Sequence, residues 1–148
     1  MKVSLRSTYG ILAAVDLAMQ TGSAPIQAKA IARRQGIPAR FLEQVLHAMK
    51  KAGLVSSQRG AQGGYVLSRK PADVSVAEIL EALEGPFLRS VTDVNGRVHS
   101  ASRSEALLAR VWDRVHEAER HVLEGITVEE LAGQQRQLEQ QRSLMYHI

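Results

Sequence analysis

The chain contains no cysteine, which excludes disulfides, cysteine nucleophiles and any thiolate-held zinc or iron-sulfur centre. It also lacks long apolar runs. The longest near the amino terminus, Ile11 to Val15, ends at Asp16, too short to span a membrane or form a signal core. A cytoplasmic protein with no membrane partner is therefore expected. Aromatic residues make up only 4%, with a single tryptophan. The hydrophobic content of 45% is nonetheless ordinary, and 148 residues suffice for one domain with a core, or for a small domain plus an oligomerisation arm.

Acidic residues are almost missing from the first 70 positions. Eleven Lys and Arg there face only Asp16 and Glu43, a balance of +9; with +4 for the whole chain, the remainder carries −5. Such asymmetry points to a basic half that meets a polyanion. A basic membrane-binding face would need one helix with a strongly apolar, aromatic-bearing side, whereas these basic residues are spread over several elements.

The segment Gln27 to Arg69 spells two short helices and a hairpin. QAKAIARRQ reads as a helix stopped by Gly36; Pro38 then opens a second helix, ARFLEQVLHAMKKA, which Gly53 ends. At 100° per residue Leu42, Val45, Leu46 and Met49 share one stripe, while Arg40, Glu43, Gln44, His47 and Lys51 fall opposite. An amphipathic helix with a charged outer face is most often only a solvated surface helix. The neighbouring hairpin changes that balance. LVSSQRG and GGYVLSR are strand-like runs around a tip containing Gly60, Gly63 and Gly64, where positive φ is expected. The set spells a winged helix-turn-helix, a device that places side chains in DNA grooves. A phosphate-cradling loop is the competing reading of the glycines. It needs a helix leaving the loop, but here the strand Tyr65-Val66-Leu67 leaves and no GK[ST] follows.

Around this segment, Ser4 to Gln20 has apolar residues near helical spacing and reads as a buttressing helix, with Arg6 and Tyr9 placed to touch backbone phosphate. Ser75-Val-Ala-Glu78 is a capping box opening the helix VAEILEALEG, and Pro86 follows where that helix cannot continue. Ser102 with Glu105 spells another, opening the longest helix. Leu108, Val111, Val115, Ala118 and Val122 recur along it at spacings of three and four, widened by Leu107 and Trp112, as in a helix that packs along its own copy. Thr127 with Glu130 caps a last, glutamine-rich helix.

Enzymatic and metal chemistry find little support. In HEAERH, His116 and His121 lie five apart with Glu117 between; that is 140° around a helix, so the two imidazoles cannot converge on one metal. His99 with Asp93 is a poor metal site, and a surface loop is the better reading. No nucleophile stands with a plausible base. The expectation is a protein that is not an enzyme and carries no cofactor or metal.

The runs STYGILAAVDLA, IARRQGIPARFLEQVL, KKAGLVSSQRGAQGGYVLSR and EILEALEGP, from Ser4 through Gly85, resemble the Rrf-two family of bacterial winged-helix transcription regulators. The combination LEQ-x-L with AGLV-x-S-x-RG-x-x-GGY is its most specific part, and Trp112 and ITVEEL continue the layout. The resemblance implies a mainly α fold with a small β-hairpin wing, divided into a winged helix-turn-helix at 1–85, a loop at 86–102 and a dimerisation helix plus C-terminal helix at 103–148. It implies a homodimer, a repressor binding a palindromic operator in double-stranded DNA. Arg40, Phe41 and Gln44 occupy its recognition-helix positions and Arg59 its minor-groove position; arginine and glutamine suit base edges independently of any resemblance. Glu43 is expected to accept from cytosine or to repel wrong sequences. Cluster-binding members carry three cysteines in the 86–102 loop, and this chain has none, so their sensing chemistry does not transfer. A protein-interaction subunit of winged-helix shape, and a regulator controlled by a small molecule or partner protein, remain the alternatives.

Overall fold

The computed structural model describes residues 3–20, 23–85 and 103–147. Helix α1 (Leu5–Met19) opens at Ser4, whose Oγ accepts the Ser7 N–H at 3.1 Å and satisfies one orphan donor of the first turn. Helix α2 (Ala28–Gln35) ends at Gly36, which takes φ 65, the left-handed conformation that closes a helix without a Cβ clash. The Ile37 N–H then bonds back to the Ala32 carbonyl at 2.9 Å. Helix α3 (Ala39–Lys51) follows from Pro38, one residue short of the expected Ala52 at its end.

Strands β1 (Val55–Gln58) and β2 (Gly64–Leu67) pair antiparallel, Val55 opposite Leu67 and Gln58 opposite Gly64. Ile26 adds a one-residue third strand: its N–H and C=O exchange bonds with Tyr65 at 2.9 and 2.8 Å. Gly64 explains how the hairpin fits so close. Its φ is 147, and a Cβ there would collide with the backbone of Ile26 and reach 2.8 Å from the Gln27 nitrogen.

Helix α4 (Val76–Glu84) is capped by Ser75, whose Oγ accepts from Glu78 N–H at 3.2 Å. Helix α5 (Arg103–Glu124) is the longest and buries none of its residues. Helix α6 (Val128–Tyr146) is capped by Thr127, which accepts from Glu130 N–H at 3.1 Å. The two caps are themselves joined: Val76 N–H bonds Ile126 O and Val128 N–H bonds Val74 O, both at 2.9 Å, a short antiparallel bridge centred on Ser75 and Thr127. Of the expected capping box at Ser102, only Glu105 lies within the described residues. Asp93 and His99 lie outside them.

One core joins these elements. Ala13, Ala14 and Leu17 of α1, Ile31 of α2, Leu42, Val45, Leu46 and Met49 of α3, Ile79 and Leu83 of α4 and Val128 of α6 all belong to it. Gly10 lets α1 and α4 approach: a Cβ there would run into the Leu83 side chain. The first turns of α6, with Val128 and Ala132 buried, thus pack with the 1–85 region, and Arg136 donates to the Ala18 carbonyl at 3.1 Å.

Candidate nucleic-acid interface

Helix α3 divides as its spacing predicts. Leu42, Val45, Leu46 and Met49 are fully buried, each burial stabilising by about 1.5–3 kcal/mol. Arg40, Glu43, Gln44, His47, Lys50 and Lys51 are exposed on the other side. Glu43 is the sole carboxylate of that face. A helix so anchored holds its polar side chains on a rigid rail, which favours reading a fixed pattern of donors and acceptors.

Phe41 stands apart from this polar row. Its ring is half-buried and meets Tyr9 of α1 edge to face, with centroids 5.4 Å apart and planes at 82°. The pair braces the start of α3 against α1. Arg6, also half-buried, lies one turn before Tyr9.

At the wing, Arg59 and Gly60 are exposed at the tip and Gly60 takes φ 110. Gly63 is buried inside the turn, where a Cβ would strike the Gln58 carbonyl, and Gly64 faces Ile26. Both therefore have a folding requirement that holds without any ligand. Gln27, at the head of α2, donates from Nε2 to the Ala61 carbonyl at 3.3 Å and ties the tip to the helix-turn-helix. At the wing base Arg69 pairs with Glu78 of α4.

An ion pair that spacing along the chain does not show ties α1 to α2. Asp16 of α1 is 2% exposed, and its carboxylate accepts from Arg34 Nε and Nη2 at 3.0 and 2.7 Å and from Gln35 Nε2 at 3.0 Å. The hydrogen bond to Asp16, with its charge, raises the Arg34 pKa above the ordinary value against an opposing burial effect. One signal was available: Asp16 is the only carboxylate in the α1 sequence and interrupts an apolar run. Lys29 and Arg33, on the outer side of α2, are exposed and extend the cationic surface.

Away from this face, α5 carries an apolar stripe in the open. Leu107, Leu108, Val111, Trp112, Val115 and Val122 are all exposed, Trp112 by 57% and Val122 by 60%. On its polar side Arg120 bonds Glu124 at 2.8 Å and approaches Glu81 of α4 at 3.9 Å. His116 faces Glu119 at 3.7 Å. Among the described residues no group of three or more His, Cys, Asp or Glu is arranged to hold a metal. No helix there is long and apolar enough to cross a membrane.

A helix-turn-helix with a buried apolar rail, an outward cationic row and a hairpin tied alongside defines a winged-helix DNA-binding protein. The family model described as "Rrf2: Iron-dependent Transcriptional regulator" matches residues 3–134, and the chain belongs to that family. The transcriptional regulator CymR of Bacillus subtilis is 34% identical over 133 residues, covering 90% of this chain and 91% of its own. The solved structure of that CymR, described as a global cysteine regulator, superposes with a TM-score of 0.72 at 33% identity, over 90% of this chain and 97% of its own. The IscR structure from T. potens gives 0.70 at 37% identity, over 90% and 88%. The chain is thus a DNA-binding transcription regulator. The iron of the family description does not fit a cysteine-held cluster here, because the chain supplies no thiolate.

Proposed function

We propose that the chain is a cytoplasmic homodimeric repressor that binds a palindromic operator through Arg40, Gln44 and Arg59. The outward row on α3 carries this reading. Arginine and glutamine offer bidentate donors and acceptors to base edges, Glu43 accepts from cytosine or rejects a wrong base, and His47 extends the row. Phe41 acts from behind, through Tyr9. Arg59 at the exposed wing tip suits a narrow minor groove, with the glycine-rich tip allowing close approach. Lys50, Lys51, Arg6, Tyr9 and the wing backbone hold phosphate.

The exposed stripe of α5 is the dimer seam in this reading, since a two-fold axis lets Val111, Val115 and Val122 cover their own copy. The recognition helices then fall about 34–36 Å apart, one turn of DNA. Selecting bound fragments from genomic DNA and footprinting them tests the proposal. The expected result is a protected palindrome and reduced transcription from the adjoining promoter in vitro. A protected site without two-fold symmetry would overturn the dimer, and increased transcription the repressor.

A second reading concerns the signal. With no cysteine to hold a cluster, control falls to a small-molecule effector or a partner protein that changes the separation of the recognition helices. Protein purified without oxygen should be colourless, and elemental analysis showing one or two iron atoms per chain would overturn this reading.

A further inference from the structure

Asp16 lies on the first helix, yet the residues it grips end the second and launch the third. Its carboxylate takes three donors from two consecutive residues, Arg34 and Gln35, in the last turn of α2. Gly36 follows immediately in the left-handed conformation, and Ile37, 5% exposed, bonds back to Ala32. Two residues later α3 begins. The direction in which α3 leaves is therefore set by its own apolar stripe in the core, by the Tyr9–Phe41 brace and by the last turn of α2. That last turn is held laterally by Asp16, since the buried residues of α2 itself are only Ile31 and Ala32.

Burying a carboxylate costs several kcal/mol unless paired and fully hydrogen-bonded. Here the partners are aligned as a fork, with Arg34 Nε and Nη2 on separate oxygens. Such a pair contributes little net stability compared with an apolar replacement, but a great deal of geometry, because any tilt of α2 breaks two charge-assisted bonds together. We propose that Asp16 is a positioning residue for DNA reading. By locking Arg34 and Gln35 it fixes the angle at which α3 presents Arg40, Glu43 and Gln44, without touching DNA. The inference rests on the DNA-reading face proposed above.

Charge makes the test decisive. Asp16→Asn removes a negative charge from a protein that binds a polyanion, so a purely electrostatic account predicts tighter binding. Positioning predicts the opposite for the operator alone. Fluorescence anisotropy would compare a selected operator duplex with an unrelated duplex of equal length, on protein whose circular dichroism matches the unaltered chain. The expected result is an operator affinity lowered about tenfold, the order of losing one base-pair readout, with non-specific affinity equal or higher. Asp16→Glu should restore part of the ratio. Should Asp16→Asn not fold, Gln35→Met removes one of the three bonds at nearly constant volume, and a smaller loss of the same ratio is expected. An unchanged ratio in whichever folded variant is measured would overturn the inference, as would equal losses on both duplexes. If the unaltered chain binds no duplex, the DNA-reading proposal itself fails first, an outcome distinct from an unaltered operator preference in the variant.

Discussion

Tyr9 on the first helix and Phe41 on the third stand edge to face, their centroids 5.4 Å apart. The contact turns Phe41 away from the polar row of α3, although it neighbours Arg40 in sequence. The Tyr9 ring thereby braces α3, while the phosphate contact proposed for Tyr9 would fall to its hydroxyl.

These jobs separate by substitution. Phe41→Ala removes a half-buried ring and its edge contact, and should cost about 2 kcal/mol of stability in thermal or urea unfolding. Tyr9→Phe keeps the ring, so unfolding should shift by less than about 0.5 kcal/mol, while operator affinity falls by about 0.5–1.5 kcal/mol. Unchanged affinity in Tyr9→Phe would confine Tyr9 to bracing.

Arg59 and Lys51 should differ in kind. Arg59→Ala is expected to lower operator affinity by about 1–3 kcal/mol and to relax preference at the base pairs beneath the wing. Lys51→Ala should weaken all duplexes alike and reduce the salt slope by about one unit. Anisotropy titrations at several salt concentrations check both, and an Arg59→Ala curve overlying the unaltered one would remove Arg59 from the interface.

The wing glycines divide by location. Gly60 has positive φ but nothing near the place of a Cβ, so Gly60→Ala should cost only backbone strain, about 1 kcal/mol. Gly64→Ala adds a collision with the Ile26 backbone and should cost about 2 kcal/mol or more, with the wing displaced. Equal melting temperatures in the two variants would contradict the close approach at Ile26.

What the sequence disclosed and what it withheld follow one physical line. Periodicity is local, so the α3 stripe, the Gly36 stop and the glycine-tipped hairpin were all legible from near neighbours in the chain. Partnerships across elements were not. Whether Asp16 meets Arg34 depends on how α1 crosses α2, and whether Phe41 leans inward depends on Tyr9 lying opposite. The return of α6 to the core was hidden for another reason: only Val128 and Ala132 are buried in a 19-residue helix, too few to impose a period on a glutamine-rich sequence. The tip glycines were legible, but the expected positive φ holds at Gly60 and Gly64 and not at Gly63, and the close backbone neighbours of Gly63 and Gly64 could not be read from spacing.

The α5 stripe supplies the last prediction, for which the chain carries its own probe. Trp112 is the sole tryptophan and is 57% exposed in the single chain. If two copies close over the stripe, its fluorescence emission lies to the blue of a solvated indole. If the stripe is the seam, Val115→Glu puts a carboxylate on it from each copy, and desolvating two like charges there outweighs the remaining apolar contact. The expected result is half the molar mass in light scattering, a red-shifted emission and an operator affinity weaker by about a hundredfold, because each reader then binds alone. Unchanged mass and emission would place the seam elsewhere, and the exposed valines of α5 would need a different partner.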